Sequence, residues 1–471
     1  MPERPLHEWT ATEAVAALRG RDVSPTELVE AAIERIEAVD GEVNALPIRC
    51  FDRARAQAKR IEALPDKPML GGLPIAVKDY NDVGCVRTTY GSPIFANYVP
   101  KRSDATTGRL EQNGAIPIAK SNVPEWAGGH TFNPVNGLTR NPWNMSRSAG
   151  GSSGGSAAAL ASGQVWLATG NDLGGSLRTP AGFNGVVGLR PSPGVVPRGT
   201  RLQAFDTLWV EGPMARNVAD VALMLDAGCG SHPDDPLAFD QTASFRDAVS
   251  RPVPPMRIGF STDLGAVPMA TEVAQIATDA ASNLALKGVD VTSDVPDFSG
   301  AFDAFQTLRA TLLGTMMGEL LDTKRDQINE DIIKNIELGF EVTPEKLFEA
   351  ERTRWQLSQR MATFFETHDL LVCPTASIPA FPVEQRYITE IDGQSCETYI
   401  DWFAITFILT LTACPILSIP CGFTDQGLPV GLQLVGKPRG EAALLRAAAW
   451  IEQEFGLASQ LPIDPLHMTD L

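Results

Sequence analysis

Histidine is scarce in this chain. There are five in 471 residues, and none lies in its two clusters of glycine and serine. A serine nucleophile needs a base, so the usual Ser–His pairing has little to draw on. His130 sits in a Gly-, Asn- and Pro-rich loop, Glu125–Asn144, where a hydrogen-bonding structural role is the plainer reading. Basic charge is also short: 39 Lys and Arg stand against 57 Asp and Glu, a net charge of −18. A nucleic-acid or anionic-membrane surface needs a basic stripe, so neither partner is expected. The seven cysteines are scattered and form no CxxC pair, which excludes the common zinc and thioredoxin-like spacings. No metal is expected, and the thiols read as reduced and mostly buried in a cytoplasmic protein. The N-terminal MPERPLHEW has no apolar h-region of the secretory kind.

Only one uncharged run imitates a membrane span in its apolar content. Phe403 to Phe423 carries no charge and could cross a bilayer by length alone. Pro415 and Pro420 interrupt it, and Thr, Ser and Cys dilute it, so a buried helix followed by a buried strand is expected. Nucleotide-binding signatures are absent too. There is no GxxxxGK[ST], and Gly170-Asn-Asp-Leu-Gly-Gly175 does not fit GxGxxG. Gly175-Ser-Leu-Arg-Thr179 lacks the second glycine of a GxSxG elbow.

What is present is core-forming sequence, 44% hydrophobic and only 20% charged. Ser24-Pro25-Thr26-Glu27 is a capping box; Leu28, Ala32, Ile36 and Val39 mark one helix face, with Gly41 as the expected stop. Leu73–Lys78 reads as a buried strand, Met256–Phe260 as another, and Leu417–Cys421 and Val430–Val435 as two more. Residues 300–367 read as a helical insertion, and Glu441–Phe455 as a final helix. One α/β domain over 1–471, built around a large mixed sheet, is the expected architecture.

The chain is organised around Ser146–Arg190, where two Gly/Ser clusters flank an alanine-rich helix. Glycine allows close backbone approach and φ > 0, which suits N–H groups aimed at a ligand. With histidine unavailable, a lysine can serve as base if burial lowers its pKa. Lys78, at a strand end, is the candidate. Consecutive N–H groups at Leu173, Gly174, Gly175 and Ser176 would form an oxyanion hole.

Three segments, GLPIAVKDY, AGGSSGGSAAA and NDLGGSLRTPAGFNGVVGLRPSPG, resemble the amidase signature family closely. The spacings agree, with 74 residues from Lys78 to Ser152 and 24 from Ser152 to Ser176. The resemblance is strongest from about Gly71 to Pro213 and extends more weakly over nearly the whole chain. It implies a mixed twisted sheet with helices on both faces and a Ser–cisSer–Lys triad needing no cofactor. Ser176 would be the nucleophile, Ser152 the bridging serine after a cis peptide bond, and Lys78 the base. Ser153 would support the triad, while Asp172 and Arg178 would pin the loop. A homodimer is the expected assembly.

The family also implies substrate-contacting positions. Gly128 and Gly129 would form one wall, with Phe403 and Phe407 opposite and Thr179 one turn after Ser176. The glutaminase components of the family's glutamyl-tRNA amidotransferases hold free glutamine partly through an Asp twelve residues before a proline that corresponds to Pro415. Phe403 stands at that place here, and an apolar residue cannot pair with an ammonium. The expected substrate is therefore a small hydrophobic or aryl amide, an anilide or a carbamate. The alternatives are the glutaminase component of a glutamyl-tRNA amidotransferase and a non-catalytic scaffold; a membrane-associated lipid amidase fits less well.

Overall fold

The computed structural model describes residues 4–127 and 129–467. Eleven strands join in one sheet: β1 (Ile48–Arg49), β2 (Pro74–Lys78), β3 (Ile116–Ser121), β4 (Leu167–Asp172), β5 (Val187–Arg190), β6 (Val210–Ala215), β7 (Arg257–Phe260), β8 (Asp290–Thr292), β9 (Leu370–Pro374), β10 (Ile416–Phe423) and β11 (Pro429–Val435). Their order is β1-β3-β2-β4-β6-β5-β10-β11-β9-β7-β8. The sheet is mixed. β2 runs parallel to β3 and to β4, β9–β7–β8 are parallel, and the central pairings between β4 and β11 are antiparallel.

This topology positions the site. β2 and β4 are parallel neighbours, so their C-terminal ends emerge on one edge. Those ends carry Lys78 and Asn171–Asp172, and every residue of both strands is buried, as expected where helices cover a parallel sheet. The helix Gly154–Ala161 is buried along its whole length. Its small residues allow close approach: a Cβ on Gly155 would collide with the backbone of Asn122 and Ala45.

The capping box forms as read, with the Ser24 hydroxyl accepting from Glu27 N–H at 3.1 Å and the Glu27 carboxylate accepting from Ser24 N–H at 2.8 Å. Gly41 does not stop that helix, which runs over Pro25–Val43. Gly41 meets no steric obstacle, and Val43 is buried at the helix end, so packing holds the last turn. The expected insertion is three helices, Ala301–Lys324, Glu330–Glu341 and Pro344–Phe364, the last capped by Thr343. The uncharged run folds as expected into a helix, Ala404–Thr410, followed by β10. No helix among the described residues is long and apolar enough to cross a membrane.

Candidate active site

Lys78 closes β2 and is fully buried. Its Nζ lies 2.7 Å from each of three oxygens: Ser152 Oγ, Ser153 Oγ and Asn171 Oδ1. The Asn171 carbonyl is farther, at 3.4 Å. No carboxylate pairs with Lys78 among the described residues. Burial pulls the ammonium down to about 7 from 10.5, against the opposing pull of the Glu211 and Asp172 charges. A neutral amine has two N–H donors and one lone pair. Asn171 Oδ1 and Ser153 Oγ can take the two N–H groups, which leaves the lone pair for the Ser152 O–H. Such an amine can accept a proton from Ser152.

The two serines that follow Gly151 differ from ordinary backbone. The Gly151–Ser152 peptide is cis, as the family resemblance implied. Gly151 is required here, because a Cβ would collide with the Gly129 carbonyl. Ser153 N–H donates to the Ser176 carbonyl at 3.3 Å, so the two Gly/Ser clusters abut. Ser152 and Ser153 are buried, while Ser176 is half-buried and lines a cavity.

The loop between β4 and the helix Arg178–Asn184 is held from beneath. Asp172 ties Arg178 at 2.9 Å and Arg190 at 3.2 Å, with all three side chains fully buried. Burial alone would raise the Asp172 carboxyl, but the two guanidinium groups outweigh it and hold the acid well below the usual carboxylate range. Arg178 also donates to the Thr406 carbonyl and to Gln433 Oε1, each at 2.8 Å. Asp172 and Arg178 thus tie the loop to the helix beneath it and to Thr406.

Gly175 departs from expectation. Its N–H donates to Asp172 Oδ1 at 2.8 Å, so it is engaged and not directed at a ligand. Leu173, Gly174 and Ser176 have backbone N–H groups without an internal partner among the described residues. The glycine at 175 serves shape: φ is +122°, and a Cβ would collide with Thr406. Thr406 also donates to the Gly174 carbonyl at 2.8 Å, fixing that peptide's orientation.

The cavity at Ser176, about 380 Å³ with its mouth, is lined by Gly129, Gly151, Leu173, Gly174, Gly175, Phe305, Arg309 and Phe403. Gly129 and Phe403 both line this cavity. Phe407 does not. It is fully buried and stacks on Phe305, ring centroids 4.4 Å apart and 10° from parallel, so it backs the wall and does not form it. Thr179 is buried in the helix and is absent from the lining. Gly128 lies outside the described residues. His130 is buried, edge-on to Phe381, and burial with the nearby Arg386 charge lowers it to about 4. It stays neutral at physiological pH, and among the described residues it has no hydrogen bond to Lys78, Ser152 or Ser176.

Three residues escaped the sequence reading: Asn171, Phe305 and Arg309. Asn171 lies inside the quoted NDLGGS segment, but an amide gives no titratable signal. Phe305 and Arg309 lie in the insertion, away from every motif, though their spacing of four places them on one helix face.

Residues 27–445 match the family model described as Amidase. The chain is 33% identical to an acylamidase of Rhodococcus erythropolis over 99% of both chains. It is also 33% identical to the A component of the glutamyl-tRNA(Gln) amidotransferase of Moorella thermoacetica, over 95% of this chain and 97% of the other. Among solved structures, a bacterial aryl acylamidase of the amidase signature enzymes superposes with a TM-score of 0.90 at 27% identity, covering 98% of this chain and 100% of that one.

Proposed function

The chain belongs to the amidase signature family, and from that premise we propose that it hydrolyses the C–N bond of small hydrophobic or aryl amides, with anilides and carbamates in range, through a serine acyl-enzyme. The observation that carries the reading is the buried Lys78 Nζ, 2.7 Å from Ser152 Oγ and free of a carboxylate.

In this mechanism Ser176 Oγ attacks the amide carbonyl. Its proton passes to Ser152 while the Ser152 proton passes to Lys78 Nζ. The tetrahedral oxyanion accepts from the free N–H groups of Leu173, Gly174 and Ser176; losing one such donor typically costs about 10²–10³ in rate. The C–N bond breaks as the proton returns along the relay to the leaving nitrogen. Water, deprotonated by the same relay, then attacks the acyl ester, and the carboxylic acid departs from Ser176. The Phe305 and Phe403 side chains offer the substrate's apolar part a dry wall.

The rival reading is the glutaminase component of a glutamyl-tRNA amidotransferase. It needs a group to pair with the ammonium of free glutamine. Phe403 stands where that Asp would be, and the cavity lining contains no carboxylate. An assay in two arms separates the readings, following nitroaniline from a small nitroanilide and ammonia from glutamine. Nitroanilide cleavage without ammonia release, abolished in Ser176→Ala by about 10⁴-fold or more, is expected. Glutamine turnover alone would overturn the hydrophobic-amide reading, and full activity in Ser176→Ala would overturn the mechanism.

A further inference from the structure

Arg309 is a buried cation without a counter-ion. It is 5% exposed and lies on the insertion helix Ala301–Lys324, one turn after Phe305. Its guanidinium donates to Asn335 Oδ1 and to the Tyr399 hydroxyl and stacks 5.6 Å from the centre of the Tyr399 ring. All three are neutral partners. No carboxylate pairs with it among the described residues. The other deep guanidinium groups near the site, Arg178 and Arg190, share Asp172. Burying an unpaired charge is costly, and a guanidinium has five N–H donors, of which two are engaged here.

Its position makes the unpaired charge useful. Arg309 lines the Ser176 cavity and also the larger cleft beside it, about 1330 Å³ with its mouth, so it stands between the two. The inner cavity has no acid in its lining. In the outer cleft Asp331 is paired with Arg386 at 3.3 Å, and Glu341 and Glu397 stand there with Lys334 and Lys346. Asn335 and Tyr399, which line the outer cleft, hold the guanidinium on that side; Asn335 Nδ2 donates to the Tyr399 hydroxyl at 3.1 Å. A planar guanidinium held by two neutral partners, with donors to spare and a place in the lining of the Ser176 cavity, matches a carboxylate.

We propose that the amide substrate carries a carboxylate remote from the scissile bond, and that Arg309 binds it. This rests on Ser176 being the nucleophile, and it extends the apolar-substrate reading: an apolar segment lies along Phe305 and Phe403 and ends in an anion. Monoamides of dicarboxylic acids place that anion on the acyl side; amides of aminobenzoic acids place it on the leaving group.

The test compares matched pairs. Glutaryl and pentanoyl nitroanilides vary the acyl side, and butyryl amides of 4-aminobenzoate and of aniline vary the amine side. Wild-type protein is expected to favour the carboxylated member of one pair by about tenfold or more in kcat/KM. In Arg309→Gln that ratio collapses toward one, and Arg309→Lys keeps part of it. Calorimetry with Ser176→Ala supplies a readout free of turnover: the carboxylated amide binds more tightly than its neutral partner, and adding Arg309→Gln removes the difference. A wild-type ratio near one in both pairs would overturn the proposal. So would an Arg309→Gln variant that lowers both members equally, since that marks a purely structural arginine. Arg309-dependent binding of the carboxylated amide by a protein that cleaves none of these amides would leave the proposal standing and instead defeat the amidase reading.

Discussion

Two lysines sit side by side in the sheet, both fully buried, and they meet opposite fates. Lys120, on β3, pairs with Asp79 at 3.0 Å and donates to the Asn81 carbonyl at 2.7 Å and to Thr88 Oγ1 at 2.8 Å. Lys78, opposite Ser121 on the adjacent strand, has three neutral oxygens at 2.7 Å and no carboxylate. The residue type and the burial are the same, and each lysine sits near the end of one of two neighbouring parallel strands, one register step apart. They face opposite sides of the sheet, and only the Lys120 side supplies a carboxylate among the described residues. With it, a buried lysine is a structural cation. Without it, burial decides, and the ammonium falls to about 7, where a lysine can take up and release protons near neutrality.

The largest effect expected from this contrast is on rate. Lys78→Ala should lower kcat/KM for a nitroanilide by about 10²–10⁴-fold at neutral pH. Because Lys78 is neutral above about 7 and charged below it, wild-type activity should fall as pH drops through that value. The acidic limb should vanish in Lys78→Ala; an unchanged limb there would assign it to another group. The sign for stability is opposite to that of a salt-bridged lysine. The folded state binds its proton less readily, so the burden on folding grows as pH falls from about 10.5 toward 7 and is constant below.

Lys120 should respond in stability. Lys120→Met leaves Asp79 buried without its partner, at a cost of about 3–5 kcal/mol in denaturant unfolding. The protein that remains folded should keep the wild-type acidic limb. A limb that moved would mean the two lysines titrate as one system and the contrast drawn between them is false.

The residues of the proposed triad could be named from the sequence because they come in contiguous motifs at fixed spacing. Singling out Lys78, Ser152 and Ser176 needed no knowledge of packing. The strand and helix pattern was legible for the same local reason, from the Ser24 capping box to the helix Glu441–Phe455. What was missed depends on the third dimension. Gly41 reads as a stop, yet buried Val43 carries the helix past it. Gly175 reads as an oxyanion donor, yet Asp172, three residues back, captures its N–H. Phe407 reads as a wall because it sits in the right run, but Phe305 arrives from the insertion and covers it. Arg309 gives no local sign, since only its surroundings reveal that it lacks an acid.

The contrast can be reversed by design. Asn171→Asp puts a carboxylate where Asn171 Oδ1 now lies, 2.7 Å from Lys78 Nζ, and gives Lys78 what Lys120 has. An opposite charge that close raises a lysine by about 1–3 pH units. The acidic limb should move up accordingly, and activity at pH 7 should fall about tenfold or more while recovering near pH 9. Loss at every pH would show damage to the site and not retuning of the base.

The smallest expected shift comes from a ring. Lys78 Nζ lies 4.9 Å from the centre of the Tyr80 ring. The negative face of an aromatic ring favours the ammonium over the amine by about 0.5–1 kcal/mol, so Tyr80 opposes burial slightly. Tyr80→Leu should therefore move the acidic limb down by about half a unit, since 1.36 kcal/mol corresponds to one unit. Tyr80→Phe keeps the ring and should leave the limb in place, although it removes the hydroxyl's bond to the Pro124 carbonyl. If Phe moves the limb as far as Leu does, the hydroxyl and the loop it anchors set the shift, and the ring does not. If neither variant moves it, burial and the missing carboxylate account for Lys78 by themselves, and the comparison with Lys120 reduces to that single group.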